Sequence, residues 1–189
     1  LDSGSIYRSL AIALLQNNID LTNVGEILGI AQAMDLTFES DEELIVKLNG
    51  QDITAQLGTE ANGSAASKVA AIPEVRKVLL QKQKDFKRLP GLVADGRDMG
   101  TVVFPEAESK VYLTASAVKR AERRYKQLME KGIDVNIGEI TRDIEARDCR
   151  DKGRLTAPLA KADDALYIDS SDMTIDDVIA QILSLVPQR

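Results

Sequence analysis

Apolar residues recur every three or four positions over much of this chain, and the breaks in that rhythm mark its elements. Leu1-Asp2-Ser3-Gly4 reads as a strand end and turn, after which Ile6, Leu10, Ile12, Ala13 and Leu14 build a helix face up to Asn17-Asn18. The chain is therefore expected to open in the middle of a fold. A second helix follows Thr22, with Val24, Ile27, Leu28 and Ala31 on one side, and Leu36–Phe38 and Leu44–Leu48 read as strands. Asn49-Gly50 is a turn signal, so Leu44–Ile53 is predicted to be a hairpin in a small antiparallel subdomain.

Pro73 opens a helical segment that runs to Leu89, with Val75, Val78, Leu79, Phe86 and Leu89 as its apolar side, and Pro90-Gly91 closes it. A short apolar run, Leu92–Ala94, then stops at Asp95-Gly96 and predicts a buried central strand. Thr101–Phe104 and Lys110–Leu113 supply further strand material. Ser116 caps a helix to Lys131, with Val118, Ala121, Tyr125, Leu128 and Met129 as the buried stripe and Arg120, Arg123 and Arg124 on another side. Ile137, Ile140 and Ile144 mark one more helix, which continues into the charged run from Arg147 to Arg154. Ala165–Ile168 is a strand, and Thr174 with Asp177 opens a last helix whose Val178, Ile179, Ile182 and Leu185 point inward.

Strand and helix signals that alternate in this way, in a chain of 189 residues that is 44% hydrophobic, predict a single α/β unit with a parallel sheet. No apolar stretch is long enough to cross a bilayer. Cys149 is the only cysteine, which excludes an internal disulfide framework and suits a reducing cytoplasm. The sequence contains no histidine, so a Ser-His-Asp triad, a Cys-His nucleophile and the usual histidine-bearing zinc sites are excluded. Chemistry here must run on carboxylates, arginine, lysine and a hard cation such as Mg²⁺, the means by which phosphoryl groups are transferred.

The net charge of −6 hides an asymmetry, because the two ends are acidic while Glu60–Arg154 carries a net positive charge. A basic centre in an acidic protein suits a small anionic ligand in a cleft better than a nucleic acid, which needs a broad basic face. Four tyrosines, three phenylalanines and no tryptophan also leave little for a base-stacking platform.

The turn Asp95-Gly96-Arg97-Asp98 sits where open α/β sheets bind ligands, past the carboxyl end of a strand. Asp95 could face a metal ion, Arg97 an oxyanion and Asp98 a donor on a ligand; an ordinary Asp-Gly turn with a local ion pair explains the same residues. The nearest match to a phosphate-binding loop, Gly58-Thr-Glu-Ala-Asn-Gly63-Ser64, lacks the lysine after the second glycine and reads as a loop before a helix. Arg147, Arg150 and Arg154 recur at helical spacing and could converge on a phosphate. Intrahelical pairs, Asp143 with Arg147 and Arg147 with Asp151, account for them equally well.

Four motifs taken together resemble bacterial cytidylate kinase: Leu1-Asp-Ser-Gly-Ser-Ile-Tyr-Arg8, Ala65-Ala-Ser-Lys-Val-Ala-Ala-Ile-Pro-Glu-Val-Arg76, Leu92-Val-Ala-Asp-Gly-Arg-Asp-Met-Gly-Thr-Val-Val-Phe104 and Arg147-Asp-Cys-Arg-Asp-Lys-Gly-Arg154. The resemblance spans nearly the whole chain. It implies a P-loop nucleoside monophosphate (NMP) kinase fold, with a parallel core sheet flanked by helices, a small antiparallel NMP-binding subdomain and a helical lid. Within one kinase domain over 1–189, it places the NMP-binding region at 2–90, core strands at 91–115, the lid and its flanking helices at 116–157, and the last core strand and helix at 158–189. The implied reaction moves the γ-phosphoryl group of ATP, with Mg²⁺, to CMP or dCMP in a cytoplasmic monomer.

Residue by residue, the resemblance implies that Ser67, Arg76 and Asp98 contact the cytosine edge. Arg8, Arg97 and Arg154 would hold the monophosphate with Ser3 beside them, and Arg147 and Asp151 the sugar. It makes Arg97, Arg154 and Asp95 the catalytic set, Asp95 acting on Mg²⁺ through water, and assigns Arg120, Arg124 and Arg150 to the ATP side and lid. Gly58 departs from the pattern, standing where the family commonly has an arginine. The family's first strand, P-loop and first helix are expected upstream of Leu1, and the chain without them is expected to hold ATP phosphates poorly and to be inactive alone. The alternatives are a related UMP or AMP kinase, or a noncatalytic nucleotide-binding module.

Overall fold

The computed structural model describes residues 1–40, 44–130, 132–154 and 156–186, and the chain divides into two compact units, Leu1–Met99 and Gly100–Arg189. The first unit is built around α1 (Ser3–Gln16), which starts two residues earlier than the expected turn at Ser3-Gly4 allows. Asp2 is the reason: its carboxylate accepts from the Ser5 amide at 3.2 Å and caps the helix. Because Ile6, Tyr7, Leu10, Ala11, Ile12, Ala13 and Leu14 are all buried, α1 is covered around most of its circumference.

Around α1 lie α2 (Val24–Ala33), α3 (Thr54–Leu57), α4 (Glu60–Val69) and α5 (Pro73–Lys84). The small sheet is antiparallel in the order β1 (Leu36–Ser40), β2 (Leu44–Leu48), β3 (Gln51–Asp52), as the pattern predicts. Leu48 pairs with Gln51 across a two-residue turn in which Asn49 and Gly50 both have positive φ, 50° and 81°. That backbone matches the twist of the strands, and few residues other than Asn and Gly adopt it cheaply. The core joins Ile6, Leu10 and Leu14 to Ile27, Val46, Val69, Val75 and Leu79, side chains each worth about 1.5–3 kcal/mol on burial.

Three expectations fail here. The helix from Pro73 ends at Lys84, and Leu89 is 96% exposed. After Leu79 the apolar stripe would need a hydrophobe at position 82 or 83, and Lys82 and Gln83 stand there; Lys82 instead donates to the Met34 carbonyl at 2.9 Å. Leu92–Ala94 forms no strand. Its neighbourhood makes a single parallel bridge, Asp2 with Asp95, through Asp95 N–H to Leu1 O (2.9 Å) and Ser3 N–H to Asp95 O (3.0 Å), while Val93 is 90% exposed. An apolar run becomes a strand only with a ladder beside it. Finally, the Gly58–Gly63 segment is mostly helix: Thr59 caps α4, and the Gly63 amide is used on the Thr59 carbonyl at 2.9 Å.

In the second unit β4 (Val111–Thr114) and β5 (Leu166–Asp169) form a parallel pair, Val111 opposite Leu166 and Thr114 opposite Asp169, with Tyr112 and Tyr167 stacked at 6.0 Å. Lys110, just before β4, donates to the Pro105 carbonyl at 2.6 Å and pairs with Asp164 at 2.7 Å. Helices α6 (Ala117–Glu130) and α7 (Ile137–Lys152) pack on each other, and α8 (Ile175–Leu183) follows β5. The start signals hold: Ser116 Oγ accepts from the Lys119 amide, and Thr174 with Asp177 completes a capping box.

The strand expected at Thr101–Phe104 is instead a π-helical turn over Met99–Val103. Val103 and Phe104 are buried side by side after an exposed Val102, which the alternation of a strand does not give. The α6 stripe is narrower than expected, for only Ala121 and Leu128 are buried, and Val118 and Met129 are 57% and 46% exposed. Lys131, its expected last residue, lies outside the described residues. Val178 and Ile182 on α8 are half-buried, as is Leu185 just beyond its end, and Ile179 is exposed, so none points into a closed core. Periodicity shows that a face is apolar and not what covers it. Among the described residues no helix is long and apolar enough to cross a membrane.

Candidate functional site

The turn after Asp95 is pressed onto the start of α1. A Cβ on Gly96 would stand 2.1 Å from Ser3 Oγ and 3.1 Å from Met99 Cγ, so only glycine lets the turn approach this closely. Ser3 is thereby held next to Asp95-Gly96-Arg97-Asp98. Tyr7 and Arg8 leave α1 about one turn beyond Ser3.

Arg76 sits in the first turn of α5 and Asp98 at the end of the Asp95 turn, and their side chains, 7% and 6% exposed, form an ion pair between Arg76 Nη2 and Asp98 Oδ2. Arg76 Nη1 donates to the Ala70 carbonyl at the end of α4 at 3.2 Å. Its guanidinium carbon lies 5.5 Å from the centre of the Tyr7 ring. Ser67 is buried on α4, three residues before Ala70. A charge buried in this way needs a partner, and a guanidinium–carboxylate pair satisfies both members. Of the expected base-reading residues, the structure joins Arg76 and Asp98 directly and sets Ser67 on the helix whose end holds Arg76.

Arg8 reaches the α3–α4 turn, where its Nη1 donates to the Leu57 carbonyl. A Cβ built on Gly63 would lie 3.6 Å from its Nη2. Asp95 is exposed on one side and crowded on the other; burial first, and then the Asp2 charge, raise its carboxyl above the usual aspartate range, against a smaller pull from Arg97.

In the second unit the arginines of α6 and α7 meet carboxylates of α7. Arg120 donates through Nη1 to Asp148 Oδ1 at 3.0 Å and through Nη2 to Oδ2, while its Nε donates to the Ala115 carbonyl at 3.0 Å. Asp151 has no exposed surface; Arg154 donates to it, and Arg147 Nε lies 3.9 Å from it. Arg147 and Arg154 thus converge on one carboxylate, whereas Arg150 is exposed on α7 and Arg124 lies on α6. Arg123 ties α6 to the end of β5 through the Ser170 carbonyl and hydroxyl. Cys149 is an exposed thiol on α7. Among the described residues no group of three or more His, Cys, Asp or Glu side chains could enclose a metal ion.

Tyr7, Asp148 and the carbonyls of Leu57 and Ala70 escaped the reading of the sequence. Tyr7 stands beside Arg8 inside a quoted motif, a usable signal; the two carbonyls carry none.

Guanidinium and carboxylate groups, buried and matched in an α/β frame, handle phosphorylated ligands by charge and position, as phosphotransferases do. The family model for cytidylate kinase matches residues 1–188. The chain is 50% identical over 190 residues to a cytidylate kinase of Aeromonas salmonicida (strain A449), covering 100% of this chain and 83% of that protein. It is 51% identical over 190 residues to a cytidylate kinase of Pasteurella multocida (strain Pm70), covering 100% of this chain and 84% of that protein. It is 52% identical over 186 residues to one of Methylococcus capsulatus (strain ATCC 33009 / NCIMB 11132 / Bath), covering 98% and 84%. The chain belongs to the cytidylate kinase family, phosphotransferases of the P-loop NMP kinase fold.

Proposed function

We propose that this protein transfers the γ-phosphoryl group of ATP to CMP or dCMP, giving ADP and the pyrimidine nucleoside diphosphate. The observation that carries the reading is the buried Arg76–Asp98 pair. A carboxylate accepts from the exocyclic amine of cytosine, a guanidinium donates to the ring acceptors, and uracil, with an oxygen where cytosine has the amine, leaves that carboxylate facing another acceptor. Ser67 adds a hydroxyl to the same reading of the base.

Arg8 and Arg97, with Ser3 beside them, serve the monophosphate in the first unit. In the second, Arg154 serves the phosphate, Arg147 and Asp151 the sugar, and Arg120, Arg124 and Arg150 the ATP side of a helical lid. Arginine suits these tasks because its fork binds oxygens in pairs and stays charged throughout, so no proton shuttle is required. This accounts for chemistry in a chain with no histidine.

Mg²⁺ would neutralise charge on the transferring phosphates when bound. Its donor here fits an indirect role: Asp95 is one carboxylate with an exposed side, able to accept from a metal-bound water, and substrate phosphates with further waters would complete the set. The lone cysteine suits the cytoplasm, and nucleotides, not nucleic acids, are the partners of a monomer.

Phosphate acceptance from ATP by CMP, dCMP, UMP and AMP, measured side by side on the intact protein, tests the reading. Preference for the cytosine nucleotides is expected. Equal rates with UMP defeat the assignment of Arg76 and Asp98, and no transfer to any of the four defeats the kinase reading.

A further inference from the structure

The Arg76 guanidinium is held from three directions, and only two of them are hydrogen bonds. Nη2 donates to Asp98 and Nη1 to the Ala70 carbonyl, contacts that lie in the guanidinium plane and fix its position within that plane. Neither stops the plane from tilting. The Tyr7 ring lies beneath the guanidinium carbon, its centre 5.5 Å away. A π face attracts a cation over it, more strongly where water is excluded, and both residues are more than nine-tenths buried.

The placement follows from the chain. Tyr7 leaves α1 one turn past Ser3, α1 packs against α4, and α4 ends in the Ala70 carbonyl that takes Arg76 Nη1. Tyr7 and the carbonyl are thus set by the same helix packing, and Arg76 comes to them from α5.

We propose that Tyr7 is a positioning residue for base selection: its ring sets the tilt of the Arg76 guanidinium, so that Arg76 and Asp98 meet one edge of a nucleobase as a fixed donor–acceptor pair. This deepens the CMP kinase reading and rests on it. Without the ring, Arg76 keeps its charge and its ion pair and loses the alignment on which discrimination between cytosine and uracil depends.

Calorimetric titration of the full chain with CMP and with UMP tests the proposal. Tyr7→Leu should weaken CMP binding about tenfold and shrink the preference for CMP over UMP by a similar factor. Tyr7→Phe, which keeps the face, should stay within about twofold of the parent. A merely structural Tyr7 would lower the unfolding temperature and leave the CMP to UMP ratio unchanged. Should Tyr7→Leu fail to fold, phenylalanine, difluorophenylalanine and pentafluorophenylalanine installed at position 7 keep the shape and withdraw electrons from the face in steps. CMP affinity should fall along that series. A flat series in a protein that prefers CMP overturns the role of Tyr7 alone; a parent that does not distinguish CMP from UMP overturns the assignment of Arg76 and Asp98 to the base and this proposal with it.

Discussion

Arg120 closes both of its Nη atoms on the Asp148 carboxylate, a fork on a fork that joins α6 to α7. With Nε on the Ala115 carbonyl, all three nitrogens of the guanidinium are engaged. The pair is partly open to solvent, 30% and 20% exposed, so screening reduces its worth to about 1 kcal/mol. A double-mutant cycle of Arg120→Ala and Asp148→Ala in urea unfolding should return a coupling of that size. Strictly additive losses would show that the two side chains act independently.

Gly96 makes a sharper prediction. Gly96→Ala puts a methyl 2.1 Å from Ser3 Oγ, inside a contact that also involves Met99. The turn must move, at a cost of about 1–3 kcal/mol, and CMP affinity should fall with it because Asp98 lies on the displaced segment. Ser3→Ala in the same chain should restore part of the stability. Equal unfolding free energies for Gly96→Ala and the parent would refute the close approach.

Gln83 offers a gain. It is 1% exposed on the inner face of α5 below Val75 and Leu79; its Nε2 donates to the Leu79 carbonyl at 3.2 Å and its Oε1 has no hydrogen-bond partner among the described residues. Gln83→Met keeps the volume and removes the unsatisfied oxygen, so stability should rise by about 0.5–1.5 kcal/mol with no change in CMP affinity. Thermal unfolding beside a CMP titration checks both halves.

The raised carboxyl of Asp95 sets a pH dependence. Its proton is held more tightly in the folded chain, so its contribution to stability is neutral below the ordinary aspartate value of 3.8 and turns unfavourable as pH rises through the raised folded value. Asp95→Asn should therefore unfold at a higher temperature than the parent at pH 7 and at the same temperature near pH 3. Phosphoryl transfer should fall sharply in the same variant. A stability difference that is constant with pH would show that the Asp95 charge is not the cause.

What the sequence disclosed was local. Asn49-Gly50 turns through its own positive φ angles, Ser116, Thr174 and Asp177 act on amides within three residues, and each turn or cap stands where the pattern puts it. Leu92–Ala94, Thr101–Phe104 and the apolar stripe of α8 depend on what lies beside them, which no short window contains. The site divides along the same line. Family resemblance put Arg76 and Asp98 on one base edge, but the ion pair between them spans 22 residues, and the Ala70 carbonyl and the Tyr7 ring that complete it are ordinary residues until the helices pack.

The carboxylates Asp148 and Asp151 have a kinetic meaning as well. Arg120 and Arg154 arrive already matched with Asp148 and Asp151, so a phosphate that engages either guanidinium exchanges one anion for another. The step in which these two arginines take up a phosphate should then depend less on ionic strength than capture by an unmatched charge would.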